Sequence, residues 1–107
     1  MYKLGTVVSL KVPVLGNETG ALGICFEEYD LGGHKGCEFI FENGEYDGFD
    51  KEEQANFLQF IRHREDFEYE FKNVMKLSED FNSGYFTPFI GLKGCHTRQY
   101  PDWKITQ

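Results

Sequence analysis

The sequence contains little cysteine, few basic residues and no long apolar run. Its 107 residues include three Cys, eleven Lys and Arg, and eighteen Asp and Glu, which gives a formal net charge of −7. Three cysteines make a poor disulfide framework, so we expect free thiols and a cytoplasmic location. The acidic balance argues against the nucleic-acid backbone as a partner. Without an apolar run of roughly 20 residues or a signal segment, we expect no membrane association.

Aromatic residues are abundant: 11 Phe, 6 Tyr and 1 Trp make up 17% of the chain. Disordered chains are poor in aromatics, so this composition predicts a folded protein. The length supports one domain. We expect a single domain over residues 1–107, with a barrel-like half at about 1–50. A helix–strand–helix extension would follow at about 51–90, and then an irregular tail at 91–107.

The acidic residues are concentrated in the middle third of the chain. Residues 38–71 carry three basic and eleven acidic side chains, a net charge of −8, whereas residues 72–107 carry a net charge of +2. One interpretation is a solvated acidic face that keeps the protein soluble. The alternative is a surface that binds a basic partner, as a mimic of nucleic acid would.

Alternating apolar and polar residues predict several strands in the first half. The pattern holds at residues 6–12, 20–29 and 37–42, with a short return strand at 45–49. Asn43-Gly44 tolerates positive φ and is the strongest hairpin signal in the sequence. These elements predict an antiparallel sheet.

The second half carries signals for helices. Asp50 followed by Glu53 forms a capping-box pattern, which predicts a helix over residues 51–64. Alternation at residues 66–72 predicts a further strand. Asn73 is a candidate cap for a second helix, and Gly84 a candidate terminator. The expected core aromatic and aliphatic residues here and in the sheet are Phe39, Phe41, Phe57, Ile61, Phe67 and Phe71.

Residues 4–50 resemble the barrel at the front of small uncharacterised bacterial or phage proteins. The resemblance lies in Gly5-x-Val-Val, Gly20-x-x-Gly23, Phe39-Ile-Phe41, Asn43-Gly44 and Tyr46-Asp-Gly-Phe49. It implies an SH3-like barrel, a fold that mostly serves as an interaction module. We therefore expect an α+β fold: a strongly bent antiparallel sheet or SH3-like barrel, with two helices packed on one side. An α+β sheet with two helices on one face is the competing architecture.

Residues capable of metal or covalent chemistry are few. His34-x-x-Cys37 and Cys95-His96 together would make a Cys2His2 set, but the spacing is not that of a zinc knuckle. Cys25 lies in a predicted strand, where a thiol is usually buried and inert. We expect no metal, no cofactor and no catalytic residues.

The leading hypothesis is a non-enzymatic, acidic protein-binding module, one form of which is an inhibitor of a basic partner. The candidate binding residues are Tyr29, Tyr46, Asp47 and Phe49, because aromatics beside acids are typical of interfaces. One alternative is a small-molecule-binding protein with an aromatic pocket between barrel and helices. Another is a small enzyme that uses Cys or acid chemistry. Edge strands and surplus aromatics also suggest a homodimer.

Overall fold

The computed structural model describes residues 2–89, which form five strands and two helices. In chain order these are β1 (Thr6–Leu10), β2 (Leu22–Leu31), β3 (His34–Phe41), β4 (Tyr46–Asp50), α1 (Lys51–Phe57), β5 (Leu58–His63) and α2 (Val74–Ser83). No helix within residues 2–89 is long and apolar enough to cross a bilayer. The predicted tail at 91–107, with Cys95 and His96, lies outside the described residues.

The five strands form one antiparallel sheet in the order β4-β3-β2-β1-β5. The α+β class is therefore confirmed. The sheet is not closed into a barrel, because β4 and β5 stand at opposite edges. The SH3-like barrel implied by the resemblance is not confirmed.

The hairpin at Asn43-Gly44 is confirmed, although only one of the two residues takes positive φ. Gly44 has φ 88° and donates its N–H to the carbonyl oxygen of Phe41 at 2.9 Å. Ile40 then pairs with Tyr46 as β3 turns into β4. A single left-handed glycine is therefore enough to reverse the chain.

The predicted helix over residues 51–64 is wrong in its second half. The capping box is present: Asp50 accepts from the Glu53 N–H at 2.8 Å, and Glu53 accepts from the Asp50 N–H at 2.9 Å. The helix nevertheless ends at Phe57, and Leu58 is extended with φ −118° and ψ 139°. Leu58 pairs with Leu10 and is buried, so pairing with β1 wins over helix propensity.

Two further predictions need correction in this part of the chain. Ile61 was expected in the core but is 45% exposed, because it lies on the edge strand β5. Residues 66–72 are not a strand and pair with no other strand of the described sheet. Their side chains still alternate between the two sides of the segment: Phe67 and Phe71 are half-buried against the sheet, and the intervening glutamates are exposed.

The second helix begins and ends where its sequence signals indicate. The Asn73 side chain accepts from the Lys76 N–H at 2.8 Å, and Gly84 closes α2 in the left-handed region at φ 86°. Leu77 and Phe81 are buried and face the sheet. Local capping chemistry thus defines both ends of α2.

Alternation along the strands divides the core into two clusters, one on each face of the sheet. The α2-side cluster consists of Val7, Leu22, Ile24, Phe26, Ile40, Leu77, Phe81, Phe86 and Phe89. The α1-side cluster consists of Val8, Leu10, Ala21, Cys25, Cys37, Phe39, Phe41, Phe49 and Leu58, with Phe57 of α1 packed against it. The two helices therefore lie against opposite faces, and the expectation that both pack on one side is wrong.

Candidate functional site

The structure places the four candidate binding residues on different faces of the sheet. Tyr29 and Tyr46 are half-buried on the α2 side, where the Tyr46 ring meets Phe26 edge-on at 6.5 Å. Asp47 is exposed on the strand between Tyr46 and Gly48, so its side chain projects to the other face. Phe49 is only 4% exposed and belongs to the α1-side cluster. The four residues therefore do not form one surface.

The Tyr29 ring lies flat across two glycines of the neighbouring strands. A Cβ on Gly48 would stand 3.2 Å from Cε2 of Tyr29. A Cβ on Gly36 would collide with the Tyr29 ring and approach the carbonyl oxygen of Phe49 to 2.6 Å. Gly36 needs glycine because the ring occupies the space of a side chain, whereas at Gly48 a small shift of the ring would make room for a Cβ. Neither is explained by backbone conformation, since neither glycine has positive φ.

Three carboxylates whose charges meet at Glu38 form what we call the carboxylate cluster: Glu27, Glu38 and Asp47. Glu27 stands directly opposite Glu38 in the β2–β3 ladder. Partial burial, together with the charges of Glu27 and Asp47, raises the pKa of Glu38 above its ordinary value. Like charges placed directly across a sheet destabilise it.

None of the ion pairs found among residues 2–89 includes a residue of the carboxylate cluster. They join Lys35 to Asp30, Arg64 to Asp66, and Lys76 to Glu79 and Asp80. Within the described range, no group of three or more His, Cys, Asp or Glu side chains is arranged to hold a metal ion. The carboxylate cluster is therefore a region of negative charge, and no Lys or Arg among residues 2–89 forms an ion pair with it.

Two thiols, Cys25 and Cys37, are buried side by side in the α1-side cluster. The Cys37 Sγ donates to the carbonyl oxygen of Tyr2 at 3.0 Å. A hydrogen bond with Cys37, reinforced by burial, raises the pKa of the Cys25 thiol. A buried, protonated thiol is a poor nucleophile. His34 lies three residues before Cys37 on the same strand, so the two side chains project to opposite faces.

An aromatic pocket of about 440 Å³ opens between the sheet and the chain that follows β5. Phe26 comes from β2, His63 from the end of β5, and Phe67, Tyr69 and Phe71 from the irregular segment. The acidic residues in its lining are Glu27, Glu65, Glu68 and Glu70. It forms because alternate aromatics of residues 67–71 turn towards the sheet.

A larger groove of about 1080 Å³ runs between the same segment and α2. Its polar groups bind one another: Tyr69 donates to Asp80 at 2.7 Å, and Lys76 lies 3.1 Å from the second oxygen of Asp80. The hydrogen bond from Tyr69 lowers the pKa of Asp80, and Lys76 lowers it further. The Tyr69 ring stacks on Phe86 at 4.0 Å. These contacts hold α2 against the segment.

Sequence reasoning missed Glu27 and Glu38 as site residues, and it expected an aromatic pocket between barrel and helices, whereas the pocket lies between the sheet and residues 63–71. The Glu27–Glu38 pairing depends on a register shift in β2 between Cys25 and Glu27, which no local signal announces. The pocket joins Phe26 to Phe71, residues that only the tertiary fold brings together. This chain matches no family model, no curated protein and no solved structure in the comparisons with known proteins.

Proposed function

We propose that this chain is a non-enzymatic binding module whose carboxylate cluster engages a basic segment of another protein. The observation that carries the proposal is the direct opposition of Glu27 and Glu38, with Asp47 close enough to raise the pKa of Glu38 further. Bringing a Lys or Arg side chain to this point relieves a repulsion that is built into the sheet. Binding would inhibit the partner if the bound segment forms part of the partner's own active or binding site.

Two aromatic residues support this surface from its flanks. Tyr29, on β2, has a ring that packs over Gly36 and Gly48, and Tyr46, on β4, lies on the same face of the sheet. A guanidinium stacks favourably on such a ring. Phe49 supports β4 from the opposite face of the sheet, where it is buried against Phe39 with ring centroids 5.8 Å apart.

The test uses two synthetic peptides of equal length, one rich in Arg and Lys and one in which Gln replaces each cation. Backbone amide shifts of the full chain are followed during titration at low and at high salt. We expect the basic peptide to shift residues near Glu27, Glu38 and Asp47, with an affinity that falls as salt rises.

The double variant Glu27→Gln with Glu38→Gln should bind the basic peptide about tenfold more weakly, because the two lost charge contacts are together worth on the order of 1.4 kcal/mol. Glu18→Gln is the matched control, since Glu18 is exposed in a loop away from the cluster. Equal binding of the neutral peptide, or an unchanged affinity in the double variant, would remove the proposal.

A second candidate function is binding of a small molecule, and the aromatic pocket is the observation that favours it. Its volume of about 440 Å³ lies within the range of ligand sites. Screening the full chain for ligands that raise its melting temperature tests this candidate, and the pocket variant Phe71→Leu separates binding there from binding elsewhere.

A further inference from the structure

The aromatic pocket is lined by two kinds of side chain, aromatic rings in its walls and carboxylates at its rim. Its walls include the half-buried rings of Phe67, Tyr69 and Phe71. Behind them, Phe71 packs against the buried ring of Phe26 at 53°, with centroids 5.0 Å apart. The rim carries the carboxylates of Glu27, Glu68 and Glu70.

The walls are held in place by the core behind them. Phe67 packs edge-on against Phe86, with centroids 6.0 Å apart and planes at 74°. Tyr69 is fixed by stacking on Phe86 and by its hydrogen bond to Asp80. A pocket whose walls are already positioned loses little conformational entropy when it binds a ligand.

The charged side chains around the pocket are mostly acidic. Arg64 is the cation among its described lining residues, and it is already engaged. It donates to both oxygens of Asp66, at 3.0 and 2.8 Å, and to the carbonyl oxygen of Pro88 at 2.7 Å. The rim carboxylates therefore set a negative potential at the opening.

We propose that the aromatic pocket binds an organic cation with an alkylated ammonium group. The cation is attracted by the faces of Phe and Tyr rings, and the rim carboxylates favour its positive charge. The same group occurs in free quaternary amines and in the side chain of a methylated lysine. The inference does not rest on the carboxylate cluster as a protein-binding surface, because a free cation needs no partner protein.

The first experiment compares choline with 3,3-dimethylbutan-1-ol, its neutral analogue of the same shape. Both are titrated into the full chain while backbone amide shifts are recorded. We expect choline to shift residues lining the pocket and to bind about tenfold more tightly than the neutral analogue. Equal affinities, shifts confined to other regions, or no binding of choline at millimolar concentration would overturn the proposal.

Two peptides identify the source of the cation. One carries trimethyllysine and the other unmodified lysine in the same sequence. Tighter binding of the trimethyllysine peptide than of choline, at the same amides, assigns the pocket to a modified protein. Tighter binding of choline assigns it to a free amine.

Two variants separate the pocket from the rest of the molecule. Phe71→Leu keeps an apolar side chain but removes a ring face, and should weaken choline binding about tenfold. The matched control is Phe57→Leu, a half-buried ring on the other face, which should leave the affinity unchanged. Glu70→Gln, at an exposed position, should weaken binding about threefold without affecting folding.

The choline titration and the basic-peptide titration can fail separately. Loss of choline binding with retained peptide binding removes the pocket proposal alone. Loss of peptide binding with retained choline binding removes the carboxylate cluster as a protein-binding surface and leaves the pocket proposal standing.

Discussion

The α1-side cluster is filled mostly by side chains of the strands themselves, whereas the α2-side cluster is completed by a helix and a segment of irregular chain. On the α1 side, Phe49 meets Phe39 and Phe41 edge-on at 5.8 and 5.9 Å, and all three rings are buried. On the α2 side, Phe67 and Phe71 are only half-buried. Fully buried rings occur on both faces, such as Phe26 and Phe89 on the α2 side, but the aromatic pocket and the groove both lie beside the irregular segment.

This difference follows from how each face is covered. Strand side chains are positioned by the ladder, so they interlock across neighbouring strands. The segment over residues 64–73 belongs to no strand, and its alternate rings pack against the sheet. Partial covering leaves cavities, and cavities are where ligands bind.

The largest expected effect is the loss of a ring from the α1-side cluster. Phe39→Ala should lower the free energy of unfolding by about 3–5 kcal/mol, because the ring is fully buried. Phe71→Ala, on the other face, should cost about half as much. Urea denaturation of both variants measures the difference. Equal losses would mean that the two faces are packed equally well.

A smaller effect is expected where the Tyr29 ring packs on Gly36. Gly36→Ala should cost about 1–3 kcal/mol, since its Cβ would meet both the Tyr29 ring and the backbone oxygen of Phe49. Gly48→Ala is the control and should cost less, because the three atoms nearest to its Cβ all belong to side chains and none is closer than 3.2 Å. Urea denaturation gives both values. If the two substitutions cost the same, the contact with the Phe49 backbone is not decisive.

The smallest effect is a gain in stability at the carboxylate cluster. Glu38→Gln should raise the free energy of unfolding by about 0.5 kcal/mol at neutral pH, because it removes the repulsion from Glu27. The pKa of Glu38 is raised in the folded state, so the folded protein binds the proton more tightly than the unfolded chain does. The destabilisation by Glu38 is therefore present at neutral pH and disappears as the pH falls through the raised pKa.

Urea denaturation of the wild type and Glu38→Gln across this pH range tests the expectation. The gain should shrink towards acid pH, and Glu18→Gln should show no comparable change. A gain that is independent of pH would mean that Glu38 destabilises the sheet for a reason other than its charge.

Local signals predicted much of the fold. Gly44 supplies positive φ, Asp50 and Glu53 cap one helix, and Asn73 and Gly84 bound the other, all through contacts within a few residues. Such contacts are visible in the sequence because the partners are close along the chain.

The parts that could not be predicted depend on distant partners. Leu58 is extended because β1 offers a partner 48 positions earlier in the register Leu10 to Leu58. Of the candidate site, Tyr29 and Asp47 lie at or beside the carboxylate cluster, whereas the burial of Phe49 follows from its facing Cys37 across β3 and β4. Neither relation can be deduced from a single segment.

The register shift opposite Val7 and Val8 has a consequence for aggregation. It leaves Ile61 as an extra residue on the edge strand β5, where Phe60 and Ile61 are 49% and 45% exposed. A regular apolar edge would template pairing with other chains, and a bulge disrupts that template. At the opposite edge, Asp47 and Asp50 place negative charge on β4. The two edges thus resist sheet-to-sheet polymerisation, one by geometry and the other by charge.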